Sequence, residues 1–264
     1  MADGIPVYEA VEWREPAPNG GSSAQVFRLL DGRFAVVKFP ENPQGELVLA
    51  NEFMSCQLAE MLAVPVNRAV LVSIDERLLR LPRQDNRIPA AFSAGIRCGM
   101  IRFENAGPVA PNDIPTLCDN AAEMHGLAVF EQFVCRQDGR QLLMHPGNGA
   151  KGKMFGAYDY GYSFGGQPNW SADSLGSMPP ATLPTNDPCT GIPYEHTGDE
   201  LGPIVEKLRA LTVEPISNVL TRLYAPRWGA TAEAVAALAP VLVARAQSLV
   251  REFDRRYRPL LEGN

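Results

Sequence analysis

The chain has 264 residues, 45% of them hydrophobic and 20% charged, the proportions of an ordinary globular protein with room for a sizeable core. Its formal net charge of −6 argues against a nucleic-acid binder and against electrostatic anchoring to a membrane, because both need a basic face. With no apolar run near the roughly 20 residues that span a bilayer, no signal-peptide pattern in MADGIPVYEAVEW, and five cysteines without a CxxC spacing, a cytoplasmic chain with reduced thiols is expected.

The first predicted elements form a hairpin. AQVFRLL (24–30) alternates weakly, Asp31–Gly32 is a turn signal, and RFAVVKF (33–39) is the partner strand. A small-residue loop, PNGGSSAQ, precedes the hairpin, and the polar ENPQGE follows it. LVLANEFMSCQLAEMLA (47–63) places apolar residues at helical spacing and is closed by Pro65. NRAVLVSID predicts a strand, ERLLRLPRQ a short helix or strand, and IRCGMIRFEN another strand. Pro108, Pro111 and Pro115 then crowd a connection that reads as a boundary.

Beyond that boundary NAAEMHGLAVFEQFVCRQ predicts a helix, and RQLLMH and KMFGAYDYGYSF predict two strands around a glycine-rich turn. Residues 167–197, rich in Pro, Gly, Ser and Thr, predict a long irregular loop. The end is helical, with Thr231 as N-cap of the last helix and a kink at Pro240. The three histidines are scattered and lie near no cysteine at ligand spacing, which argues against a structural zinc site. The expected class is α+β and two-lobed, a smaller β-rich N-lobe over residues 1–107 and a larger, mainly helical C-lobe over 108–264, with a cleft between them.

Chemistry enters with Lys38, which ends the apolar strand FAVVK. A buried lysine needs a partner; otherwise it snorkels to water at the sheet edge. Four pieces follow in an order that suits phosphoryl transfer from ATP. The loop NGGSS, with Gly20, Gly21, Ser22 and Ser23, can bring backbone N–H groups to phosphate oxygens. Lys38 can reach the phosphates, and Glu52, early in the next helix, can orient it. Asp138 in CRQDGRQLLM can orient or deprotonate an acceptor hydroxyl. Asp159 in AYDYGYSF can ligate Mg²⁺ while the following glycine lets the chain turn. Each aspartate is equally a turn residue when taken alone, and Glu52 a solvated helix residue.

The stretch SSAQVFRLLDGRFAVVKFPENPQGELVLANEFMSCQLAEMLAVPV resembles the N-lobe of HipA-like kinases, in the branch consisting of little more than the kinase core. The shared features are VKF at Val37–Phe39, NPQG at Asn42–Gly45 and the helix opening Asn51–Glu52, with FVCRQDGRQLLM and YDYGYSFGGQPNW similar to the catalytic and metal-binding loops. The resemblance implies a bacterial protein-kinase-like fold and ATP- and Mg²⁺-dependent phosphorylation of a serine or threonine on a partner protein. It makes Lys38 and Glu52 an ion pair, Asp138 the catalytic aspartate and Asp159 a magnesium ligand. One departure stands out. The Asn expected five residues after Asp138 is Leu143, and Gln141 is the nearest substitute ligand. That departure keeps open a pseudokinase acting as a nucleotide-binding or regulatory module, and a kinase of small molecules is a further alternative.

Overall fold

A computed structural model describes residues 5–17, 22–80, 88–165, 170–191, 196–221 and 228–261. Strand β1 (Val7–Pro16) has no counterpart among the predicted elements. Its two register shifts, between Ala10 and Glu12 and between Trp13 and Glu15, break the period of two by which a strand is read from sequence. It exists because both of its edges are paired: antiparallel to β2 (Gln25–Leu29) and parallel to β4 (Ala69–Ile74).

The hairpin turn lies where Asp31–Gly32 predicts it. Gly32 takes φ +88° and donates to the Leu29 carbonyl at 2.9 Å, and the chain returns as β3 (Phe34–Lys38). Strand β5 (Gly95–Arg102) pairs with both β3 and β4, closing a barrel in the order β1-β2-β3-β5-β4. Its inside is packed by Phe27, Leu29, Val37, Phe39, Val70 and Val72. The alternate residues Ala69 and Leu71 of β4 face a second, larger core.

Helix α1 (Leu47–Met61) belongs to that larger core. It is buried around nearly its whole circumference because it is covered by β4 and β5 and by a later helix. It closes on Ala63 at φ 50°, with Val64 N–H bonded to the Ala59 carbonyl at 2.9 Å, before Pro65. ERLLR resolves to a helix, α2 (Glu76–Arg80). The proline-rich connection holds the two-residue β6 (Gly107–Pro108), a turn of 3-10 helix at Pro111–Asp113, and α3 (Ile114–Leu117).

Helix α4 (Glu123–Phe133) leads into a hairpin of β7 (Gln141–Pro146) and β8 (Lys153–Tyr158), with β6 at its edge. The predicted strand KMFGAYDYGYSF is therefore too long. It stops at Tyr158, because Asp159 takes the left-handed φ of 63° and the chain turns away. Within the predicted irregular segment lies one helical turn, α5 (Ala172–Leu175), capped by Ser171. Three helices follow: α6 (Gly198–Arg209), α7 (Val213–Thr221) and α8 (Ala232–Leu261). Thr231 Oγ1 accepts from Ala234 N–H at 3.1 Å as the expected cap, and the helix continues through Pro240. In length and composition α8 is apolar enough to cross a membrane, unlike any run expected from the sequence, but half of its apolar window is buried against the rest of the chain. Leu238, Leu242, Leu249 and Phe253 lie in the larger core, the pattern of a core helix.

Candidate active site

Strand alternation delivers the first residue. Val37 points into the barrel, so Lys38 points out of it, toward α1 and the larger core. The NPQG turn then fixes the distance from strand to helix. Asn42 donates its side-chain amide to the carbonyls of Phe39 (2.6 Å) and Gly45 (3.0 Å) and accepts from Gln44 N–H at 2.8 Å. Gly45 takes φ +94°, which only glycine adopts without strain. One and a half turns into α1, Glu52 receives Lys38: Nζ to Oε2 is 2.7 Å, and the two side chains are 9% and 1% exposed.

Asp159 completes the cluster from the end of β8. Its Oδ1 lies 2.6 Å from Lys38 Nζ, and its Oδ2 accepts from Gln141 Nε2 at 2.9 Å. Glu52 Oε2 also accepts from Tyr160 N–H at 3.0 Å, so one carboxylate holds both the lysine and the backbone that carries Asp159. Asn51, beside Glu52, donates to the Gly161 carbonyl at 2.8 Å and accepts from Trp170 Nε1 at 2.6 Å. Gly161 has a different reason from the one its sequence context suggests. The turn is made by Asp159 itself; at Gly161 an added Cβ would stand 2.8 Å from Val48 Cγ1.

One cation thus faces two carboxylates. Burial works against the charged form of Lys38, but Glu52 and Asp159 outweigh it and hold the ammonium above the usual lysine range. Burial pushes Glu52 up despite Lys38. Burial also opposes ionisation of Asp159, yet the charge of Lys38 and the bonds from Lys38 and Gln141 bring it below the usual aspartate value. Glu52 Oε1 is buried with no hydrogen-bond partner among the described residues.

Asp138 is held by a residue that the sequence did not single out for a role. Arg136, its side chain 2% exposed, donates Nε to Asp138 Oδ1 at 2.9 Å and pairs with Glu131 at 3.1 Å. It also reaches the carbonyls of Gly139 (2.7 Å) and Tyr158 (3.3 Å) and lies 4.6 Å over the Tyr160 ring. Burial raises the Asp138 pKa against the pull of Arg136, with the Asp159 charge adding to the rise. Arg245 of α8 fixes the preceding turn by donating to the carbonyls of Phe133 (2.9 Å), Gln132 and Pro179. The available sequence signal was an arginine two residues before an aspartate, too common to read alone.

The structure therefore brings Lys38, Glu52, Asp159 and Gln141 into direct contact and sets Asp138 beside them on its own arginine. Gln141 meets Asp159 through its amide nitrogen; the oxygen expected to ligate metal is the other atom of the same group. Gly20 and Gly21 lie outside the described residues. Ser22 is buried, and Ser23, at φ 51°, gives its carbonyl to Gln25 Nε2 at 2.8 Å. Gln25 pairs with Val37, so Ser22 and Ser23 adjoin the Lys38 end of β3. Surface cavities of about 490 and 480 Å³ open elsewhere; neither is lined by Lys38, Glu52 or Asp159. The donor set fits magnesium: a carboxylate and an amide oxygen are hard ligands, and the cluster has surplus negative charge.

Among solved structures the chain is similar to the Helicobacter pylori proinflammatory kinase CtkA, with a TM-score of 0.61 at 11% identity over 97% of this chain and 99% of that one. The Golgi casein kinase matches with a TM-score of 0.53 at 10% identity, over 94% of this chain and 74% of that one. The same kinase with Mn/ADP bound matches with a TM-score of 0.52. No protein-family model and no curated protein sequence matches the chain. The likeness is one of fold: the chain has a kinase-like fold, and the HipA-like branch is not thereby shown.

Proposed function

We propose that this chain is an ATP- and Mg²⁺-dependent phosphotransferase of the HipA-like kind, acting on a serine or threonine hydroxyl of a protein. The carrying observation is the buried Lys38 ammonium clasped by Glu52 and Asp159, residues 14 and 121 positions away in sequence. A general structural role would be served as well by an apolar trio, which costs no desolvation. The barrel and the helical region act as the two lobes, 1–107 and 108–264, and Lys38 and Asp159 meet across their cleft.

Bound Mg²⁺-ATP supplies the phosphoryl group and the countercharge for its oxygens. Lys38 has three N–H bonds; Glu52 and Asp159 take two, leaving one for a phosphate oxygen. Asp159, with the Gln141 amide oxygen, would hold the metal. Arg136 occupies Oδ1 of Asp138, so Oδ2 is the oxygen that can orient an acceptor hydroxyl and take its proton. Arg136 thereby fixes which oxygen of Asp138 works.

A second proposal, a nucleotide-binding regulatory module without turnover, draws on Leu143 where a metal-binding Asn is expected. Nucleotide binding is tested by thermal denaturation with Mg²⁺-ATP. At a hundred times its Kd the ligand should add about 2.7 kcal/mol of stability. The shift should be lost in Asp159→Asn. No shift in wild type contradicts both proposals.

A further inference from the structure

We propose that His125, His196 and Glu200 bind one divalent transition-metal ion of the zinc class, at a site separate from Lys38 and Asp159. His125 lies in the first turn of α4, about 12 Å along the helix axis from the end at Phe133 that leads toward Asp138. Glu200 lies in the first turn of α6, and His196 just precedes that helix. One ring nitrogen from each histidine and a Glu200 oxygen lie within 4.8 Å of one another.

Hydrogen bonding determines which atoms are available. His196, 2% exposed, places Nε2 at 2.8 Å from the Asn186 carbonyl, which can only accept, so the proton is on Nε2 and a lone pair on Nδ1. That Nδ1 is 3.2 Å from Nδ1 of His125. The other nitrogen of His125, Nε2, faces Glu200 Oε1 at 3.7 Å. A neutral His125 has one proton for two places. With the proton on Nε2, two lone pairs meet at 3.2 Å; with it on Nδ1, a lone pair faces a carboxylate. In the first arrangement a cation between the rings would take both lone pairs; in the second the rings bond to each other and only the Nε2 lone pair faces the carboxylate.

The dimensions suit zinc. Two nitrogens about 2.0–2.1 Å from a tetrahedral ion stand roughly 3.4 Å apart, close to the 3.2 Å found here. The widest spacing of the set must close by roughly 1.4 Å, within reach of the Glu200 side chain. Two of the three ligands already have outer support. His196 donates its second nitrogen to a carbonyl, and Glu200 Oε2 is held at 2.8 Å by Thr197 N–H in a capping box. The Asp187 carboxylate adds negative charge nearby. The sequence expectation against zinc rested on ligand spacing, which does not show that histidines 71 residues apart meet.

The test is zinc binding to the full-length chain, measured against a chromophoric chelator, followed by the spectrum with cobalt(II) in place of zinc. Wild type should take up one zinc per chain, and the cobalt form should show visible d–d bands without a thiolate charge-transfer band. His125→Ala and Glu200→Gln should each weaken binding about tenfold or more; the glutamine keeps the helix cap and so the local fold. Asp159→Asn should bind zinc as wild type does. Absence of zinc uptake, the outcome if a proton alone bridges the two rings, overturns the proposal. So does a thiolate band, or uptake unchanged in both variants.

Discussion

Lys38 is the residue on which the site depends. Among the described residues it is the cation bonded to both carboxylates, so Lys38→Met should leave like charges facing each other in the core. We expect a loss of about 3–5 kcal/mol in urea unfolding of the nucleotide-free protein; a loss below 1 kcal/mol would mean that the pair relaxes into water. Asp159 has a pH signature. Its folded pKa is below the ordinary 3.8, so its stabilisation is complete above that value and is lost as pH falls through the folded one. The stability difference between wild type and Asp159→Asn should stay constant from pH 7 to about 5 and shrink below about pH 4. Burial shifts Glu52 upward in both proteins and that part cancels; the rise that the Asp159 charge adds in wild type does not, and it sets the upper end of the constant range. Gln141→Ala should lower kcat by one to two orders of magnitude, about 1.4–2.8 kcal/mol in the barrier, with Lys38–Glu52 pairing intact; full activity would remove Gln141 from the metal site. At this scale the sequence was informative where residue type and local context coincide. A lysine ending an apolar strand and an aspartate at a strand end can be read in one dimension. The Arg136 cage could not be, since its partners Glu131, Tyr158 and the Tyr160 ring are assembled by the fold.

At the scale of elements, the tie between α1 and the loop after β8 makes the site rigid. Asn51 and Glu52 hold Gly161 and Tyr160, and Val48 closes on Gly161. Gly161→Ala should therefore cost about 1–3 kcal/mol by overpacking. Combining it with Val48→Ala, which makes room, should recover part of that loss in a double-mutant cycle. Strict additivity would show that the close approach is relieved elsewhere. The hairpin, α1 and α4 were legible because each has a turn signal or unbroken helical spacing. β1 was not, because its bulges shift the alternation, and the end of β8 was not, because an aspartate rather than a glycine makes the left-handed turn.

At the scale of the whole molecule, a closed five-stranded barrel and a helical region share the larger core through α1, and the polar cluster lies where they meet. The α+β character was readable from the order of elements. Barrel closure was not, because it depends on β1 lying parallel to β4, a pairing that no local signal announces. The central claim is that this arrangement transfers phosphate, and radiolabelled ATP tests it most directly. Wild type, Asp138→Asn and Asp159→Asn are incubated with Mg²⁺-ATP, alone and with lysate protein; both variants keep the Lys38–Glu52 pair and should remain folded. The account predicts labelled phosphoserine or phosphothreonine with wild type and at least a hundredfold less with either variant, about 2.7 kcal/mol or more in the barrier. Wild type that binds Mg²⁺-ATP yet labels neither itself nor any lysate protein would contradict it, as would undiminished transfer by Asp138→Asn.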